Sequence, residues 1–158
     1  MNSLYNFIVK PLKKRYNNEK QIGEKSLIVN TQISNHQFIS KKAVVVSTPA
    51  AYKTKINVGD EVYIHHNIFR RWYDQKGKER NSSNYFKNNL YFVSPEQIYM
   101  YNLNPHLDYC FVKPILNNNY LDNIKEQPNV GIVKYTNNSL EAAGITPGAL
   151  VTFTPNSE

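Results

Sequence analysis

The amino-acid sequence predicts an all-β fold composed of many short strands. Aromatic residues make up 13% of the 158 residues, and 12 of the residues are tyrosines. Runs of β-branched residues are also frequent, and both residue types are enriched in strands. Asparagine runs at residues 88–89, 117–119 and 137–138 indicate turns. Because turn signals are so frequent, long helices are not expected.

Several segments of the first hundred residues have the composition of strands. They are separated by turn signals such as Gly59-Asp60 and by Pro49, which ends the second segment. From about residue 16 to residue 40 the chain is polar, with neither a helical period nor a regular alternation, so we predict a long mobile loop there. The predicted strands lie within residues 4–12, 43–46, 56–64, 90–93 and 98–101.

The order of these segments begins again after residue 103. Internal similarity of this kind predicts a tandem duplication. We therefore expect one domain at residues 1–102 and a second, shorter domain at 103–158, which lacks the polar loop and the closing strands. From this we expect either that the chain is a fragment of a longer product, which is favoured, or that a partner supplies the missing strand edge. The paired segments are residues 9–11 and 112–114, 43–47 and 131–135, and 56–64 and 145–153.

The charge and the cysteine content narrow the function classes. The formal net charge is +7, and lysine outnumbers arginine; arginine is better suited to bidentate phosphate contacts, so a solvated basic surface is favoured over nucleic-acid binding. The single cysteine, Cys110, excludes an internal disulfide and a cysteine zinc cluster, and its apolar neighbours predict a buried thiol. No segment has membrane-spanning length and no signal-peptide pattern opens the chain, so we expect a cytoplasmic protein.

Three consecutive aliphatic side chains, Leu27, Ile28 and Val29, stand out within the polar loop. Burying each one is worth roughly 1.5–3 kcal/mol, whereas ordering a loop residue costs about 1–2 kcal/mol. One such loop would therefore bind weakly, but identical loops around a ring would bind firmly and still release. We interpret the triplet as a segment that docks into a groove on another protein.

The order of these features resembles that of the GroES (chaperonin-10) co-chaperonins. The resemblance covers about residues 4–102 and, in part, 109–158. It depends on Val-Lys-Pro-Leu at residues 9–12, the aliphatic triplet, Val-Gly-Asp-Glu-Val at 58–62 and Ser-Pro-Glu-Gln-Ile at 94–98. It implies a GroES-like irregular β-barrel with a long mobile loop, followed by a second, partial GroES-like repeat. The likeness suggests a bacteriophage-encoded member, similar to the tandem co-chaperonins of plastids.

By this resemblance, Leu27, Ile28 and Val29 match the triplet that docks on the apical domains of a GroEL-type chaperonin. Gly23 corresponds loosely to the glycines before that triplet, and Ile33 would extend or shift the contact. The resemblance further implies a homo-oligomeric, sevenfold ring that assists protein folding in the cytoplasm of a bacterial host. Such a protein is not an enzyme and needs neither a cofactor nor a metal, since nucleotide hydrolysis belongs to the chaperonin.

Two features depart from the family pattern. The family's roof hairpin normally precedes Val-Gly-Asp, but here the connection is only residues 47–55, so the roof is short or absent. An aromatic and basic insertion at residues 68–86 enlarges another loop instead. These differences bear on ring geometry more than on docking by the loop.

Residues 69–73, Phe-Arg-Arg-Trp-Tyr, support the main alternative function. Aromatic side chains beside arginines on a small basic β-barrel can bind single-stranded nucleic acid. The competing interpretation is a hairpin in which Phe69 and Trp72 pack on the barrel while both arginines extend to solvent, and it is favoured. A structural ring or virion component with a co-chaperonin-like fold is a further alternative.

A metal site at His65-His66 is disfavoured by the sequence. Neighbouring strand residues face opposite sides of a sheet, so the two imidazoles would not share one ion. We also expect His36 and His106 to lie far from this pair, with no carboxylate cluster beside it.

Overall fold

The computed structural model describes residues 3–17, 19–28, 35–117 and 125–155. Within these ranges the chain is all-β, as predicted, and none of its helices has the length and apolar character needed to cross a membrane. The chain divides into two compact units, Met1–Asn102 and Leu103–Glu158. The strands are β1 (Phe7–Pro11), β2 (Glu19–Ile22), β3 (Lys25–Ile28), β4 (Lys42–Ser47), β5 (Glu61–Ile64), β6 (Arg71–Tyr73), β7 (Glu79–Asn81), β8 (Tyr85–Lys87), β9 (Leu90–Val93), β10 (Ile98–Tyr101), β11 (Asn104–Pro105), β12 (Phe111–Asn117), β13 (Lys125–Tyr135) and β14 (Leu150–Thr152), and the helix α1 is Asn138–Ala142.

The first unit is organised by one antiparallel sheet in which the strands follow the order β10-β5-β4-β1-β9-β8. In the described part of the chain, β10 and β8 are not paired with each other, so these strands do not form a closed barrel. Two further pairs, β2–β3 and β6–β7, form separate two-stranded sheets. The second unit contains the three-stranded sheet β12-β13-β14.

The core of the first unit combines aromatic and aliphatic side chains from the sheet with a short helix. Phe7, Phe69 and Tyr91 are fully buried, and the rings of Phe69 and Tyr91 meet edge to face at 4.8 Å. Phe69 and Ile68 come from the 3₁₀ helix His66–Phe69, which closes the core. Burying such a side chain stabilises the fold by roughly 1.5–3 kcal/mol. The buried aliphatic residues include Val9, Val45, Ile56, Val62, Ile64, Val93 and Ile98.

The two units pair their strands in the same register. In each unit a strand that contains Val-Lys-Pro pairs antiparallel with an apolar strand, and in each the register shifts just before the valine. The apolar strand then pairs with a third strand on its other side. The matched pairs are Val9–Val45, Lys10–Val44 and Pro11–Ala43 in the first unit, and Val112–Val133, Lys113–Ile132 and Pro114–Gly131 in the second.

A glycine turn occupies the same place in both units. The Gly59 N–H donates to the Val45 carbonyl at 2.8 Å, and the Gly148 N–H donates to the Val133 carbonyl at 2.8 Å. The φ angles of the two glycines are +95° and +93°, a left-handed conformation that glycine adopts without a steric penalty. The two units therefore share a turn geometry at corresponding positions, and the tandem duplication stays a prediction.

Several sequence predictions can be compared directly with the strands. The predicted strands at residues 90–93 and 98–101 coincide with β9 and β10. The predicted buried thiol is only partly right, because Cys110 is of intermediate exposure; burial nevertheless raises the pKa of this thiol. The segment at residues 16–40 is not irregular throughout, since it contains the hairpin β2–β3 and the 3₁₀ helix His36–Phe38.

Candidate partner-binding site

The segment that contains the predicted docking residues begins and ends where the backbone of residues 15–17 pairs with that of residues 38–40. We call this pairing the base. Tyr16 and Ile39 form an antiparallel bridge, and both side chains are buried. The two ends of the segment therefore lie side by side at this bridge. The flanking hydrogen bonds run from Asn17 N to Phe38 O at 2.8 Å and from Ser40 N to Arg15 O at 3.0 Å.

Arg15 attaches the base to the rest of the first unit. Its Nε donates to the Phe69 carbonyl at 2.6 Å, its Nη1 to Asn81 Oδ1 at 2.7 Å and its Nη2 to the Arg70 carbonyl at 3.1 Å. The guanidinium also lies 5.2 Å from the centre of the Tyr91 ring. Burial lowers the pKa of Arg15, but a guanidinium stays charged in proteins. All three bonds are therefore charge-assisted, which makes them strong.

Strands β2 and β3 form a hairpin around a two-residue turn. In their register Glu19 pairs with Ile28 and Ile22 pairs with Lys25, which leaves Gly23 and Glu24 in the turn. Gly23 has a φ of +62°. A two-residue hairpin turn with positive φ at its first position is typical of type II′, which prefers glycine there.

Two aliphatic side chains of this hairpin are exposed on one face. Ile22 is 57% exposed and Leu27 is 54% exposed. Leu27 lies two residues from Lys25, the partner of Ile22, so the two aliphatic residues are diagonal neighbours on the same side of the hairpin. Ile22 is not among the docking residues that the sequence predicts. The signal that could have identified it is the near-symmetry of two four-residue segments about Gly23-Glu24.

The structure locates three of the five predicted docking residues. Leu27 lies on β3 and is exposed, whereas Ile28 ends β3 with its backbone paired to Glu19. Gly23 forms the hairpin turn. Val29 and Ile33 lie outside the described residues, so their part in the site stays a prediction.

Replacing Gly23 with alanine should destabilise the hairpin through its backbone alone. No atom lies within 4 Å of the position that an added Cβ would occupy, so the cost comes from the positive φ and should be about 1–2 kcal/mol. We expect weaker amide protection and smaller cross-strand NOEs between β2 and β3 in Gly23→Ala. Gly23→Asn should lose less protection than Gly23→Ala, because asparagine adopts positive φ more readily than alanine does. Equal loss in both variants would contradict this account of the turn.

The histidines lie closer together than expected. His65 follows β5, and its Nδ1 accepts a hydrogen bond from the Asn67 N–H at 3.1 Å. The rings of His65 and His66 stack at 4.3 Å, and the His36 ring lies 5.6 Å from that of His66. The expectation of a distant His36 was wrong, because the base holds the helix His36–Phe38 against the first unit. Among the described residues, no group of three or more His, Cys, Asp or Glu side chains could hold a metal ion.

Comparison with known proteins does not assign this site. The chain matches no protein-family model, no curated protein and no solved structure.

Proposed function

We propose that the protein is a co-chaperonin that caps a GroEL-type chaperonin ring and assists the folding of the enclosed protein. The observation that carries the proposal is the exposed pair Ile22 and Leu27, held on a hairpin whose segment is closed at its base. Apolar side chains kept together in water on a separate hairpin are typical of a surface that docks on a partner. The order of motifs shared with the co-chaperonin family supports the same function.

Docking would use the hairpin in two ways. Each aliphatic side chain that enters a groove contributes at most roughly 1.5–3 kcal/mol, and less here because both are already half-buried. Among the described residues no strand pairs with the edge of β3 that does not face β2, so this edge can also accept an extended segment of the partner through backbone hydrogen bonds. A single hairpin would then bind weakly enough to release when the groove changes shape.

Oligomerisation would convert these weak contacts into stable capping. In the proposed assembly the first unit forms a GroES-like irregular β-barrel, and copies of it build a sevenfold ring in the bacterial cytoplasm. Once one hairpin is bound, the others bind at a high effective concentration, so the avidity can exceed a single affinity by about 10²–10⁴. The protein itself performs no bond chemistry in this function and uses no cofactor.

The decisive variant replaces Leu27, Ile28 and Val29 together with serine. We expect it to stop co-sedimenting with a GroEL-type chaperonin in the presence of ATP, because the apolar contact is removed. Circular dichroism and native mass should be unchanged, since Leu27 is exposed on a hairpin that forms its own sheet. Continued co-sedimentation of the triple variant would contradict the assignment of the docking segment.

A matched control makes the same chemical change elsewhere. Ile132 and Leu150 are exposed aliphatic residues of the second unit, so the variant Ile132→Ser/Leu150→Ser should bind the chaperonin as the natural protein does. A natural protein that assembles into rings but never binds a chaperonin would favour the structural alternative instead.

A further inference from the structure

The insertion between β5 and β8 places basic and aromatic side chains together on the hairpin β6–β7. Trp72 pairs in register with Arg80, and the Asp74 N–H donates to the Lys78 carbonyl. Because side chains alternate along a strand, Trp72, Arg80 and Lys78 share one face. The Ser82 N–H bonds the Arg70 carbonyl, which continues the pairing and adds Arg70 to the same side. We call this surface the Trp72 face.

Trp72 does not pack on the core, which corrects one sequence prediction. Phe69 is fully buried as predicted, whereas Trp72 is 45% exposed. The reason is the alternation along β6, where Arg71 lies on the opposite side and its guanidinium covers the Tyr16 ring at 4.5 Å. Arg71 thus occupies the side of the hairpin that faces Tyr16, and the Trp72 indole lies on the opposite side.

The charge of this insertion is strongly positive. Residues 70–87 contain six basic and two acidic side chains, a net charge of +4 against +7 for the whole chain. Both carboxylates are occupied within the hairpin. Glu79 pairs with Arg71 at 3.1 Å. Asp74 accepts bonds from the backbone N–H groups of Lys76 and Lys78 and from the Arg80 Nε at 2.9 Å.

Asp74 is ionised at neutral pH and offsets one of the three positive charges of the Trp72 face, which keeps a net positive charge. The backbone N–H of Lys78, followed by the Arg80 side chain, lowers the pKa of this carboxyl. Asp74 therefore stays ionised and holds the Arg80 guanidinium by Nε. The Arg80 side chain is half exposed, and Arg70 and Lys78 are exposed as well, so all three cations are accessible from solvent.

The hairpin is also fixed in place. The Ser82 hydroxyl donates to the Ile68 carbonyl at 2.6 Å, and Arg15 bonds both the Arg70 carbonyl and the Asn81 side chain. These contacts join β6–β7 to the buried helix His66–Phe69. A rigid surface loses little conformational entropy when it binds, so weak individual contacts add effectively.

We propose that the Trp72 face binds single-stranded nucleic acid. A base stacks on the Trp72 indole, while Arg70, Lys78 and Arg80 contact the neighbouring phosphates. The positive charge of the Trp72 face favours a polyanionic ligand. The exposed indole among guanidinium groups favours a polyanion with planar rings, which can stack on it. An acidic polypeptide supplies the charge but no regular series of planar rings, so it uses only part of this surface.

Trp72 provides a direct probe, because it is the only tryptophan in the chain. We expect its fluorescence to be quenched when the full chain is titrated with a 20-nucleotide oligothymidylate in low salt. Contacts to three phosphates predict a slope of about −2 for log affinity against log salt concentration, since single strands contribute about 0.7 for each contact. No quenching at low salt would overturn the proposal.

Variants test which side chains carry the binding, measured by anisotropy of a labelled oligonucleotide. Trp72→Leu should weaken it about tenfold through lost stacking, and Arg70→Gln/Lys78→Gln should weaken it and flatten the salt slope by about 1.4. The matched control is Lys53→Gln/Lys55→Gln, which removes two exposed charges from the connection between β4 and β5. If the control weakens binding as much as the Arg70/Lys78 pair, binding is non-specific and the proposal fails.

A competing polyanion separates nucleic acid from an acidic protein partner. Poly-glutamate of matched charge should quench Trp72 little and should compete at least tenfold less well than the oligonucleotide. Equal competition would overturn the proposal in favour of an acidic polypeptide. The measurements use no chaperonin, so their outcome is independent of the proposed co-chaperonin function.

Discussion

Replacing Gly131 with alanine is expected to unfold the sheet β12-β13-β14 while the first unit stays folded. Gly131 lies on β13 opposite Pro114 on one side and Val151 on the other. An added Cβ would lie 2.8 Å from the Lys113 carbonyl oxygen and would also overlap the Val112 side chain. Since a backbone carbonyl moves only with its strand, the pairing of β12 with β13 must change.

The expected cost is large relative to the stability of this unit. Overpacking costs typically about 1–3 kcal/mol, and a clash with backbone belongs at the upper end. Among the described residues of the second unit, Val133 is the one fully shielded hydrophobic side chain. A small unit with so little buried surface has only a few kcal/mol to lose. Amide hydrogen exchange should therefore show lost protection along β12–β14 and unchanged protection along β1, β4 and β9.

Two control variants separate crowding from other effects. In Gly148→Ala the added Cβ has no atom within 4 Å, so the variant should lose only the strain energy of a φ of +93°, about 1–2 kcal/mol of stability. Ala43→Gly changes the matched position of the first unit in the opposite direction and should cost about 1 kcal/mol. Retained protection along β12–β14 in Gly131→Ala would show that the two strands can separate without loss of structure.

Replacing Arg15 with methionine should destabilise the first unit by about 3 kcal/mol. The change keeps an apolar chain of similar length but removes three charge-assisted hydrogen bonds. Each such bond contributes about 1.5–3 kcal/mol, and the sum is reduced because the group is only half-buried and the bonds are coupled. The carbonyls of Phe69 and Arg70 would lose a donor in a partly dry environment. Urea unfolding followed by circular dichroism gives the free energy directly.

Lys13→Met is the matched control for Arg15→Met, because Lys13 is an exposed neighbour with the same charge. It should change the free energy of unfolding by less than about 0.5 kcal/mol. Trp72 fluorescence should shift in Arg15→Met before global unfolding, since Arg15 bonds the hairpin that carries Trp72. A decrease in the free energy of unfolding of less than about 1 kcal/mol in Arg15→Met would contradict this account, since it would mean that water replaces the hydrogen bonds of the guanidinium with little loss of stability.

Much of the fold could be predicted from the sequence, because its strands are apolar and bounded by turn residues. Residues 90–93 and 98–101 alternate and end at clear breaks, and they form β9 and β10. The second set of Val-Lys-Pro and Pro-Gly motifs predicted segments that turn out to share one register. In both cases the side-chain composition predicts a strand, and the backbone of that segment is paired in a sheet.

The hairpin β2–β3 could not be predicted in the same way. Its first strand is Glu-Lys-Gln-Ile, which lacks the alternation of a half-buried strand, and the side chains of Ile22 and Leu27 are exposed rather than packed in a core. The hairpin is defined by its backbone pairing and its glycine turn, and a salt bridge joins Glu19 to Lys14. Composition therefore predicted a loop, and Ile22 escaped notice as a candidate site residue.

The surroundings of single side chains were also beyond local sequence patterns. His36 meets His66, which is 30 positions later in the chain, and Arg71 rather than Trp72 covers Tyr16. Both contacts depend on the bridge between Tyr16 and Ile39. Long-range closure of this kind leaves no periodic signal in the sequence.

The matching registers of the two units create a choice of partner while the chain folds. β1 and β12 carry the same Val-Lys-Pro motif, so either could be captured by β4 or by β13, a form of misassembly common in duplicated chains. Because Gly131 lacks the methyl group that Ala43 carries, β12 fits against β13 better than against β4. If β12 approached β4, it would meet the Ala43 methyl where its native neighbour presents only hydrogen. One absent carbon thus distinguishes the native strand partner from the corresponding strand of the other unit.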